Sequence, residues 1–127
     1  MRDNAVDATI LDMINQKVTY QKIKQIADKI AKQFDPEKII LFGSYAWGKP
    51  DENSDVDLFV IKKTNNTRDT ARDIRAYLWG KTAIIPMDIV VCHPLKLKNK
   101  IEHDRNLFLE DIVKNGIKLY ENHQVRR

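Results

Sequence analysis

Cysteine is almost missing from this sequence. Cys92 stands alone among 127 residues, so no disulfide can close within the chain and nothing points to an oxidising compartment. Glycine and proline are scarce at four each, which excludes a low-complexity or collagen-like chain. No apolar run approaches the roughly 20 residues of a membrane-spanning helix. The opening stretch MRDNAVDATILDMINQK carries Asp3, Asp7 and Asp12, unlike a secretory signal. A strong excess of one charge is missing too, since 22 Lys and Arg against 18 Asp and Glu leave +4. Local basic excess is confined to Lys96, Lys98 and Lys100 and to the tail Val125-Arg126-Arg127. No aromatic residues alternate with those lysines as a single-strand nucleic-acid groove requires. They read as a solvated surface, and neither membrane nor direct nucleic-acid binding is expected. With 43% apolar and 31% charged residues, the expectation is one cytoplasmic domain over residues 1–127.

Periodicity supplies the elements. Ile23, Ile26, Ala27, Ile30, Ala31 and Phe34 recur at three- and four-residue steps, which predicts an amphipathic helix over 18–34. Asp35-Pro36 ends it, because the residue before proline is driven from the helical region. A further helical turn or two is expected over Ala5 to Ile14. Lys38 to Phe42 reads as a buried strand closed by Gly43, and Gly43 to Ser54 as a loop with a helical turn after Ser44. Asp55 to Ile61 is a second strand, with Val56, Leu58 and Val60 as its core side. A helix capped by Thr67 or Asp69 should run to Leu78. Ala83 to Cys92 gives a third strand broken near its start by Pro86. Helices follow His93-Pro94, Gly116 stops the last, and Ile117 to Tyr120 ends extended. The order predicts an α/β (α+β) domain, a small mixed sheet with helices on one face.

Three features bear chemistry. Gly43-Ser44 follows a buried strand, where glycine permits a sharp turn and close backbone approach to an anion; an ordinary turn has the same appearance. Asp55-x-Asp57 places two carboxylates on one face of a strand, about 6.5–7 Å apart, which asks for a metal or a basic partner. A chance surface pair is the bland alternative. Asp88 interrupts the apolar run Met87 to Val91, where it is either an edge residue reaching water or a third carboxylate beside the first two. Other chemistries fail on inventory: Cys92 has no second cysteine, His93 and His103 are too far apart for a compact zinc motif, and GxSxG, GxGxxG and Walker motifs are absent.

Taken together, Gly43-Ser44, ten intervening residues, Asp55-x-Asp57 and the later Asp88 resemble the minimal nucleotidyltransferase family, within the DNA polymerase β-type superfamily. The resemblance is strongest over 38–92, and the final GIKLYE matches the usual family ending. It implies the nucleotidyltransferase fold and transfer of a nucleoside monophosphate, AMP from ATP, onto a hydroxyl. It implies two Mg²⁺ ions, one held by Asp55 and Asp57 and one shared by both with Asp88, and phosphate binding by Gly43 and Ser44. Many members carry arginines where this chain has Tyr45 and Trp47. Stand-alone members often serve as antitoxins that adenylylate a tyrosine of a HEPN-type ribonuclease toxin, so a hetero-oligomer with such a partner is expected. A small-molecule nucleotidyltransferase needing a partner subunit, or a contact-only antitoxin, are the competing readings.

Overall fold

The computed structural model describes residues 18–81 and 85–122. The expected helix over Ala5 to Ile14, the start of the third strand at Ala83 and Ile84, and the basic tail lie outside them.

Helix α1 (Tyr20–Phe34) begins at Thr19, whose hydroxyl accepts from the Lys22 N–H. It ends where Asp35 turns left-handed, at φ 51°, ahead of Pro36. Strand β1 (Lys38–Phe42) leads into a single helical turn, α2 (Ser44–Trp47), and then to β2 (Val56–Ile61). Helix α3 (Thr67–Leu78) is capped by Asn66 rather than by Thr67 or Asp69, the Asn66 side chain accepting from the Asp69 N–H at 3.0 Å. Strand β3 (Met87–Cys92) starts only after Pro86, which has no N–H to give a ladder. The Pro86 carbonyl still accepts from Val56 N–H at 2.9 Å and so guides β3 to β2. Helices α4 (Pro94–Glu102) and α5 (Leu107–Asn115) and strand β4 (Ile117–Glu121) complete the described chain.

The sheet order is β3-β2-β1-β4. β1 runs antiparallel to both β2 and β4, while β2 and β3 are parallel, so the sheet is mixed, as expected. The extended end at Ile117 is a full edge strand. Alternate residues of the strands feed two separate cores. Ile39, Leu41, Val56, Leu58 and Val60 meet Ile23, Ile26 and Ile30 of α1 and Ala71, Ile74 and Leu78 of α3. Ile40, Phe42, Phe59 and Ile61 meet Leu97 of α4 and Ile112 of α5. The expected one-sided cover is therefore corrected: helices pack on both faces. The physical sign is the unbroken apolar run Leu58 to Ile61, the pattern of a strand buried on both sides.

Candidate active site

Asp57 lies where β1, β2 and β3 come level. Across the antiparallel pair it is in register with Phe42, and across the parallel pair with Asp88. Neighbouring strands lie about 4.8 Å apart, so Asp57 and Asp88 project side by side from one face. Asp55 precedes the first residue of β2 and is exposed, whereas Asp57 is half-buried. Burial first, then the Asp88 charge, then the Asp55 charge push the Asp57 carboxyl above its ordinary value. All three predicted acids are thus brought together at one end of the sheet.

Gly43 shapes the wall beside them. Its φ is +77°, and a Cβ built there would collide with Asp57 Oδ2 and stand 3.0 Å from Asp57 Cγ. Only glycine lets the turn lie flat against that carboxylate. The Gly43 carbonyl accepts from the N–H groups of Ala46 and Trp47 at 2.9 and 3.1 Å, which folds Ser44 into the first position of α2. Among the described residues the Ser44 hydroxyl has no hydrogen-bond partner. Tyr45 packs against the first core and Trp47 is about half exposed, so neither replaces a basic phosphate contact.

The donor set suits a hard cation. The three side chains offer carboxylate oxygen only, and among the described residues no lysine or arginine pairs with any of them. Nor do three acidic, histidine or cysteine side chains among those residues close on one point as a cage. Cys92 is half-buried, and burial raises its thiol above the ordinary value despite the lowering charges of Lys100 and Lys96.

Sequence reading passed over one group. Lys96 and Lys100, read as solvated, line a cavity with Phe59, Val90 and Phe108 on the same sheet face as Asp57 and Asp88. Their four-residue spacing on one helix was the available signal.

A mixed four-stranded sheet with helices on both faces, a glycine-opened turn after β1 and carboxylates on adjacent strands is the frame of a nucleotidyltransferase fold. The chain belongs to the family described as Polymerase beta, Nucleotidyltransferase, which matches residues 21–125. A chain from Sulfolobus solfataricus assigned as a nucleotidyltransferase superposes with TM-score 0.53 at 21% identity, over 96% of this chain and 91% of that one. A chain from the toxin–antitoxin MntA-HpeT, crystallised as a double Asp-to-Glu mutant, gives 0.51 at 17% identity, over 84% of this chain and 77% of that one. No curated protein matches the sequence at a significant level. Among the described residues no helix is long and apolar enough to cross a membrane.

Proposed function

We propose that this chain moves AMP from ATP onto a tyrosine hydroxyl of a HEPN-type toxin, forms a hetero-oligomer with it, and thereby acts as its antitoxin. The observation that carries the transferase reading is the convergence of Asp55, Asp57 and Asp88 beside the Gly43 turn. The toxin partner is supported by the likeness to a chain of a toxin–antitoxin pair. The two mutated aspartates there stand two residues apart, the spacing of Asp55 and Asp57.

The mechanism follows from the residues. Gly43 and Ser44 receive the β- and γ-phosphates, with the Ser44 hydroxyl as donor and the glycine turn allowing close approach. Asp55 and Asp57 would hold the nucleotide's Mg²⁺, and both with Asp88 a second. Ions held there would supply charge neutralisation for the triphosphate and a lowered pKa for the acceptor hydroxyl. Asp88, on the open edge strand, faces the arriving acceptor and takes up its proton. The acceptor oxygen forms a bond to the α-phosphorus, the bond to the β-phosphate oxygen breaks, and pyrophosphate leaves.

The test uses α-labelled ATP, Mg²⁺ and lysate of the protein's own host. A labelled protein band is expected, reduced at least about a hundredfold for Asp57→Asn, since metal-held charge contributes several kcal/mol to such a step. Label confined to small molecules would establish the small-molecule reading instead. Neutralisation that survives Asp55→Ala would establish a contact-only antitoxin.

A further inference from the structure

The sheet face that carries Asp57 and Asp88 does not end at the acids. Further along β2 and β3 a cavity of about 330 Å³ opens over Phe59, Val90 and Cys92, walled by Lys96 and Lys100 of α4 and by Phe108 of α5. Val90 is 39% and Phe108 61% exposed, so part of the floor and one wall present bare apolar surface. Lys96 and Lys100 are one helical turn apart and share a face. Both line the cavity with Cys92, at the end of β3 away from Asp88, and both charges act on the Cys92 thiol. No acidic side chain lines the cavity, and neither lysine has an ion-pair partner among the described residues.

Asp57 and Asp88 stand two residues before Phe59 and Val90 on the same strands and face, so this face of the sheet has carboxylates beyond one end of the cavity and ammonium groups at the other. Cys92 lies four residue steps along the strand from Asp88, about 13 Å. We infer that the lysine end is the docking subsite for an acidic protein segment that carries the acceptor hydroxyl. The reactive side chain passes over Val90 towards Asp57 and Asp88, and carboxylates within about four residues of it in an extended segment meet Lys96 and Lys100. An uncharged nucleobase has no use for two ammonium groups, and a polycationic small molecule is repelled by them. This assignment rests on the transferase reading of the same site and names its substrate class.

The test is direct binding, followed by fluorescence anisotropy without metal or nucleotide. Two labelled peptides serve as probes, each with a central tyrosine flanked on both sides by glutamates or by lysines. Wild type should bind the acidic peptide at least about fivefold more tightly than the basic one, the effect of two screened charge contacts. Lys96→Glu with Lys100→Glu should abolish or invert that preference, Lys96→Arg with Lys100→Arg should keep it, and added salt should weaken it. If the reversed protein fails to fold by circular dichroism, Lys96→Gln with Lys100→Gln replaces it, with loss of the preference expected. Equal binding of the two peptides, no measurable binding, or an unchanged preference in the reversed protein overturns the assignment. So does displacement of the acidic peptide by metal-free ATP, which would give the lysines to phosphate. Because transfer is not measured, a protein that shows the preference yet labels nothing fails the transferase reading alone.

Discussion

At the scale of single residues, Asp57 carries the tension of the site. Its carboxyl is raised by burial, then by Asp88 and Asp55, so ionising it costs more in the folded protein than in the unfolded chain. The folded state therefore holds a proton more tightly. The resulting penalty is fully present above the raised folded value and vanishes as pH falls below the ordinary carboxylate value near 4. Asp57→Asn should accordingly raise the melting temperature of the metal-free protein at pH 7, with the gain shrinking towards zero by about pH 3.5. Calorimetry across that range checks it, and a variant less stable than wild type at pH 7 would contradict the picture. The acids were legible in the sequence because the strand period of two places Asp55 and Asp57 together and an aspartate inside an apolar run is conspicuous. Which of them is half-buried was not, since that depends on β2 beginning at Val56 and on the Gly43 turn lying against Asp57.

At the scale of elements, the second helical layer decides whether the site has a rigid back. Ile112 is the one fully buried side chain that α5 sends inward, and it meets Ile40, Phe42, Phe59 and Ile61 of the sheet. Phe108, one turn earlier, stands edge-on to Phe42 with ring centroids 6.0 Å apart, beside the register position of Asp57. Gly116 then lets the chain run close to β1, where a Cβ would collide with Ile40 and crowd the carbonyl of Leu41 at 3.0 Å. Ile112→Ala should cost about 2–5 kcal/mol, seen as a lower urea midpoint at unchanged slope. A cost below about 1 kcal/mol would mean that α5 is an appendage. Helices α1 and α3 were legible because each buries a regular stripe, as in Ile23, Ile26, Ala27 and Ile30. Helices after His93-Pro94 and a stop at Gly116 were legible too, but that α4 and α5 cover the second face of the sheet was not, because each buries a single residue, Leu97 or Ile112, and one residue makes no period.

At the scale of the whole molecule, ligand binding and global stability are one equilibrium. The acids crowd without a counter-charge, so a cation that bridges them to a triphosphate relieves repulsion only in the folded state. A non-hydrolysable ATP analogue with Mg²⁺, at a hundred times its dissociation constant, should stabilise the fold by about 2.7 kcal/mol. For a chain of this size that raises the melting temperature by on the order of 10 °C. Omitting Mg²⁺ or adding a chelator should remove most of the rise, because the bare triphosphate would then face three carboxylates. Asp57→Asn should remove it as well, although the same variant is the more stable protein without ligand. That opposite sign separates a site built to hold a cation from acids that merely share a strand end. A fold stabilised equally by the analogue with and without Mg²⁺ would show that the phosphates bind elsewhere than beside Asp55, Asp57 and Asp88.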